Sequence, residues 1–348
     1  MFSRIVGMLG FLAIFFGASP ITVSAQSFSD LTATMRGFQE SRVLLTAVEL
    51  DVFTAVGPGA TAAEVSEKLG TDPRATATLL NAVVSLGALR KKDGTFFNTP
   101  ETARYLVAGS RDYARPALMH TVDMFNSWAT LTDCVRAGTA VRPPGVNGQD
   151  QQWTESFIAA MHRGAEGTAA RVVRAVGVQG VHRLLDIGGG SGAYSIAFAK
   201  ASPSLHAEVL DLASVVPIAQ KHIDEAGVAN QVSTRVGDLT VDEFGEGYDL
   251  ILLSAICHML DPEQNQDLFR RCYRALAPGG RVVIRDFILE PDKTAPKWVA
   301  LFAINMLVGT EGGSTYTEAE YKSWLTGAGF HGFTRVDPTG ELIVARRQ

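Results

Sequence analysis

From His182 onward, short apolar or β-branched runs alternate with amphipathic stretches. Arg183–Ile187, Ala207–Leu212, Val232–Val236, Tyr248–Ser254 and Arg281–Phe287 predict strands. Between them, Ala193–Ala201, Ser214–Ala226 and Pro262–Leu276 predict helices. Such alternation implies an α/β fold, a doubly wound and mostly parallel sheet of Rossmann-like type. Phe330–Val336 and Glu341–Ala345, joined through Pro338–Gly340, predict a closing antiparallel pair. Ligands of such sheets bind beyond the carboxyl ends of the strands, so the residues just after each strand carry the chemistry.

The first half has a different grammar. Phe38–Phe53 carries apolar residues at helical spacing, and Thr61–Glu64 is a capping box opening a helix that stops at Gly70. Asp72-Pro73 starts a second helix through Leu79, Val83 and Leu86, and Leu89–Thr99 folds back about Asp93-Gly94 as a hairpin. Helix, turn, helix and hairpin make a winged helix. A DNA-reading winged helix needs a basic, polar recognition helix, whereas this one offers Arg74 alone, with Arg90, Lys91 and Lys92 on the wing. The apolar remainder favours a dimerisation or scaffold role. Tyr113–Val173 reads as helical, interrupted by a loop over Val141–Gly148.

Composition narrows the class. The chain has 348 residues, 46% of them apolar, and a formal charge of −5, enough for one large domain or two ordinary ones and unlike a phosphate-backbone binder. Cys134, Cys257 and Cys272 are too few and scattered for a disulfide framework, and no Cys/His cluster suggests zinc or another metal. Arg4 followed by the apolar run Ile5–Phe16 and by Val23-Ser24-Ala25 has the order of a secretory signal peptide. Residues 1–25 are therefore expected to direct export or anchoring, against the competing readings of a start near Met35 and of a cytoplasmic protein. The remaining parts are a winged-helix domain over 26–110, a helical connection over 111–175 and the α/β domain over 176–348.

The first strand of the sheet ends in Asp186 and the glycines Gly188, Gly190 and Gly192. Glycines there permit a tight turn, and a helix opening near Ala193 aims free N–H groups at a ligand. The glycines alone also fit a dinucleotide site. Asp186 disfavours a pyrophosphate and suits an ammonium; Asp211, ending the second strand, suits two ribose hydroxyls. Asp238, after the third strand, suits an adenine amino group.

These residues, with Leu276–Ile284 leading into the fifth strand, resemble the class I S-adenosylmethionine-dependent methyltransferases. The whole of residues 30–347 is similar to the small-molecule O-methyltransferases of plants and bacteria. The resemblance implies a homodimer formed through the winged-helix domain and a C-terminal domain that binds S-adenosylmethionine, with Leu212, Leu239 and Ser254 joining the residues above. It implies transfer of a methyl group to a hydroxyl of an aromatic or polyketide-like molecule, without nucleic acid and without a stable membrane span. In that family the histidine after the fourth strand is the general base, here His258, and its acidic orienting partner matches Asp286.

By position in the family, Met124, Phe125, Trp128, Phe157, Met161, Phe302 and Met306 would line the acceptor pocket. Met259-Leu260 stands where plant members have Asp-Trp, Ser254 where they often have Lys, and Thr315 where they have a second carboxylate; Glu311 or Glu318 would have to replace it. A non-catalytic small-molecule-binding or regulatory protein on the same scaffold is the alternative.

Overall fold

The computed structural model describes residues 27–141, 151–336 and 341–348. The expected leader at 1–25, all but the first residue of the expected loop Val141–Gly148, and the Pro338–Gly340 connection lie outside the described residues. The chain divides after Tyr113 into two compact units.

The first unit comprises α1 (Phe28–Arg36), α2 (Phe38–Glu49), α3 (Val52–Val56), β1 (Ala60–Thr61), α4 (Ala62–Leu69), α5 (Pro73–Ser85), β2 (Leu89–Lys92), β3 (Thr95–Asn98) and α6 (Pro100–Leu106). The capping box at Thr61 forms as expected: the Thr61 amide donates to Glu64 Oε2 at 2.7 Å, and α4 ends at left-handed Gly70. Asp72 caps α5 by accepting from the Ala75 amide at 2.8 Å. The wing pairs with β1 as a three-stranded sheet in the order β1-β3-β2. One expectation needs correction, because the helix predicted over Phe38–Phe53 is two helices, α2 and α3. Asp51 lies between them at φ 58°, a left-handed backbone no α-helix continues through. Val52, Phe53, Val65, Leu80, Val83 and Phe96 form the core, while Phe28 (80% exposed), Met35 (69%) and Phe38 (58%) face outward.

The second unit opens with four helices, α7 (Arg115–Trp128), α8 (Leu131–Ala137), α9 (Gln151–Glu166) and α10 (Ala169–Val176). Then come β4 (Arg183–Ile187), α11 (Ala193–Ala201), β5 (His206–Asp211), α12 (Val216–Glu225), β6 (Val232–Val236), β7 (Tyr248–Ser254), α13 (Pro262–Ala275) and β8 (Leu276–Arg285). The chain closes with β9 (Ile288–Leu289), α14 (Lys297–Gly309), β10 (Tyr316–Thr317), α15 (Glu318–Gly327), β11 (His331–Arg335) and β12 (Leu342–Arg346). Seven strands form one sheet in the order β11-β12-β8-β7-β4-β5-β6, with β12 antiparallel to both neighbours. The β8 strand starts at Leu276, five residues before the predicted start, because Leu276 already pairs with Tyr248 of β7.

Alternate strand residues bury on opposite faces, as the period of two requires. Leu185, Ile251, Leu253 and Ile284 enter the layer packed by α13 and α15, whereas Leu184, Leu250, Leu252 and Val283 enter the layer that includes α10, α11 and α12. Each such side chain contributes about 1.5–3 kcal/mol on full burial, so the sheet centre is a rigid base for the loops at its carboxyl edge. The three cysteines are free and buried. Among the described residues no helix is long and apolar enough to cross a membrane.

Candidate active site

At the end of β4 the chain turns through Gly188 (φ +65°), Gly190 (φ +57°) and Gly192 (φ +73°) into α11. A Cβ on Gly188 would stand 2.3 Å from the Ile256 side chain, so only glycine brings the turn this close. Gly192 caps α11 without a side-chain hydrogen bond, which leaves the helix's first N–H groups to a ligand. The α9 helix lies over the turn: Ile158 sits 3.7 Å from where a Gly190 Cβ would be, and His162 Nδ1 is 2.8 Å from Ser191 Oγ.

The three acidic residues at the strand ends do different work. Asp211 accepts the Gly190 amide through Oδ2 and the Leu212 amide through Oδ1, both at 2.8 Å, so it shapes the turn while remaining half-buried at its edge. Burial raises its pKa and those amides oppose the rise. Asp238 takes the Thr240 amide and hydroxyl on Oδ1 at 2.8 and 2.6 Å, next to half-buried Leu239. Asp186 sits deeper than the other two. It is 0% exposed beneath the turn, accepting from Ser195 Oγ of α11 at 2.8 Å, and Gly189 closes over it. Asp186 supports the turn from below through Oδ2, while its Oδ1 has no hydrogen-bond partner among the described residues. Burial pushes its pKa up to about 7. A glycine cradle, an uncapped helix start and half-buried carboxylates at successive strand ends fit the sugar and base of an adenosyl cofactor.

Beyond β7, half-buried Ser254 leads to a single 3₁₀ turn, Cys257–Met259, that carries His258 (5% exposed). His258 Nδ1 lies 2.6 Å from Asp286 Oδ1, and its amide donates to Asp286 Oδ2 at 3.1 Å. The Phe287 amide and the Tyr321 hydroxyl also donate to Asp286, at 2.8 and 3.2 Å. Burial alone would raise the Asp286 pKa, but the His258 charge, its hydrogen bond and the two amides hold it below the ordinary value. An ionised carboxylate only accepts, so Nδ1 carries the proton and Nε2 is left basic. The His258 ring stacks over Phe287 at 5.6 Å and meets Phe302 edge-on at 4.9 Å.

The residues expected around an acceptor spread over three helices. Met124, Phe125 and Trp128 are half-buried on α7, Phe157 half-buried on α9, and Phe302 and Met306 on α14. Trp128 Nε1 donates to Asn305 Oδ1 at 2.9 Å, tying α7 to α14. Met161 differs, being 40% exposed on α9. Of the two glutamates weighed against the missing carboxylate, Glu318 pairs with Arg335 at 3.0 Å and Glu311 is exposed. Thr315 is buried and donates to the Val299 carbonyl at 3.3 Å. Gly313 instead packs against the His258 loop, where a Cβ would lie 2.4 Å from the His258 carbonyl. Sequence reading missed Phe287 and Tyr321. Phe287 adjoins Asp286 and was open to inspection, but no spacing connects Tyr321 to the pair.

The chain matches the O-methyltransferase domain over residues 128–331 and the O-methyltransferase dimerisation domain over residues 32–109, and it belongs to this family. It is an S-adenosylmethionine-dependent O-methyltransferase. The 3-hydroxy-5-methyl-1-naphthoate 3-O-methyltransferase of Streptomyces sahachiroi is 35% identical over 306 residues, 86% of this chain and 88% of that one. The tetracenomycin polyketide synthesis 8-O-methyltransferase of Streptomyces glaucescens is 30% identical over 308 residues, 86% of this chain and 91% of that one. Human N-acetylserotonin methyltransferase, solved in complex with S-adenosylmethionine, superposes with a TM-score of 0.77 at 25% identity, covering 94% of this chain and 99% of that one.

Proposed function

We propose that this enzyme methylates a hydroxyl on a fused aromatic or polyketide-derived molecule, with His258 as general base and Asp286 as its orienting partner. The observation that carries the reading is the buried His258–Asp286 pair, 2.6 Å apart, opening onto the rings of Phe287 and Phe302. The related naphthoate and tetracenomycin enzymes support the acceptor class. S-adenosylmethionine supplies an electrophilic methyl group on a sulfonium. Gly188, Gly190 and Gly192 would admit it to the turn, Asp211 would accept from the ribose, and Asp238 and Leu239 would hold the adenine, with Leu212 and Ser254 alongside. His258 Nε2 removes the acceptor's proton, and Asp286 keeps Nδ1 protonated and stabilises the imidazolium. The helices α7, α9 and α14 hold the acceptor flat and dry, and orientation of this kind supplies up to about 7–11 kcal/mol in favourable cases. Two copies associate through the first unit, whose exposed Phe28, Met35 and Phe38 favour burial against a partner.

Incubation with methyl-labelled cofactor and a panel of hydroxynaphthoates, naphthols and anthraquinone phenols tests the reading. Label on an acceptor oxygen with stoichiometric S-adenosylhomocysteine supports it. Cofactor binding with no transfer to any member of the panel overturns the proposed acceptor class.

Asp211→Ala is expected to weaken cofactor binding about 10- to 100-fold, since a hydrogen bond to a charged group is worth about 1.5–3 kcal/mol. Calorimetric titration checks this, and unchanged affinity removes Asp211 from the site.

Asp186 gives an expectation about pH. Its folded pKa of about 7 exceeds the ordinary 3.8, so folding takes up a proton between those values. Its contribution to stability is therefore greatest below about pH 4 and falls as pH rises to about 7. Asp186→Asn imitates the protonated acid, so its melting temperature should lack this decline and exceed the wild type's above pH 7. Parallel melting curves across pH decide the matter.

A further inference from the structure

His120 lies on α7 one turn before Met124 and two before Trp128, so the three share one side of the helix. Its ring meets Phe157 edge-on at 5.2 Å and Trp153 at 6.2 Å, and those two rings stack on each other at 5.1 Å and 8°. His120 Nδ1 is buried and has no hydrogen-bond partner among the described residues. A sealed ring nitrogen in an aromatic wall is costly and seldom retained without a use. Burial also lowers the His120 pKa, so the ring is neutral at pH 7 and carries one N–H.

We propose that His120 is a specificity-determining residue whose Nδ1–H binds a carbonyl or carboxylate oxygen of the acceptor, separate from the hydroxyl that is methylated. The inference rests on the acceptor class proposed above and adds a second recognition point. A carbonyl oxygen conjugated to a fused ring lies in the ring plane, as a flat molecule beside Trp153 and Phe157 requires. It brings only lone pairs. A second hydroxyl would bring a hydrogen that itself needs a partner among aromatic rings. The Trp128–Asn305 bond ties α7, which carries His120, to α14, whose Phe302 touches His258.

The test uses the full chain saturated with S-adenosylhomocysteine. Affinities are measured by calorimetry for 3-hydroxy-1-naphthoate, its methyl ester and the decarboxylated counterpart 2-naphthol. The wild type is expected to bind the acid and the ester at least tenfold more tightly than 2-naphthol. His120→Phe should erase that preference while leaving cofactor-product affinity and melting temperature within error, and His120→Asn, which retains an N–H near Nδ1, should restore part of it. Loss for the acid alone assigns a carboxylate; loss for acid and ester assigns a carbonyl oxygen. Equal weakening of all three ligands, no change in any, or binding of none overturns the proposal. Methyl transfer to the same probes is measured in parallel. His120-dependent binding without transfer sinks the hydroxyl-methylation reading and leaves the recognition role standing.

Discussion

His258→Ala should lower the rate of methyl transfer by about 10²–10⁴-fold, the usual contribution of a positioned general base. S-adenosylmethionine affinity should stay within twofold of the wild type, because the glycine turn and Asp211 belong to β4 and β5 whereas His258 follows β7. Single-turnover kinetics beside calorimetry separate the two quantities. The imidazole is 5% exposed and packed between Phe287 and Phe302, so His258→Gln, which fills more of that space, is the companion variant. Retention of more than a tenth of the wild-type rate by both variants removes His258 from the role of base.

Asp286→Ala should cost more in stability than any surface change, about 3 kcal/mol or more, since each buried donor left without its acceptor costs about 1–3 kcal/mol. Four donors lose their acceptor together: the His258 amide and Nδ1, the Phe287 amide and the Tyr321 hydroxyl. Asp286→Asn keeps the shape and an accepting oxygen, and should cost less while still slowing transfer by failing to stabilise the imidazolium. Because the folded Asp286 pKa lies below its ordinary value, this stabilisation is present above the carboxylate range and disappears as pH falls through it. The alanine variant should lack that acid-side loss. Urea unfolding at neutral pH and at about pH 3–4 measures both effects, and identical stability of wild type and alanine variant at neutral pH contradicts the account.

The periodic elements were legible in the sequence. The strands over 183–187 and 248–254 coincide with β4 and β7, whose burial on both faces leaves a dense apolar signature, and the segments over 232–236 and 193–201 coincide with the edge strand β6 and with α11. Local signals also carried through, as at Thr61, Gly70 and Asp72. What escaped was set by distant contacts. Asp51 ends a helical pattern without a Gly or Pro to announce it. The residues β9 and β10 pair over two positions each, too short for any period to register. Asp186 lies where the motif predicts, yet its burial depends on how Gly189 and α11 close over it. Tyr321 reaches Asp286 across 35 residues, a proximity no single sequence displays.

The anchoring of Asp286 also bears on how such an enzyme changes its diet. Both carboxyl oxygens are held in part by backbone amides, those of His258 and Phe287, which persist whatever side chains surround them. The proposed proton-handling pair is thus fastened to the edge of the sheet, while the proposed surroundings of the acceptor come from α7, α9 and α14, three helices outside it. On that reading, substitutions on α7 and α9 should reshape the enclosure while the amide bonds to Asp286 stay in place, whereas Phe302 of α14 packs directly on the His258 ring. On that reading a new acceptor is reached through changes in helical side chains, with the backbone-held carboxylate left in place.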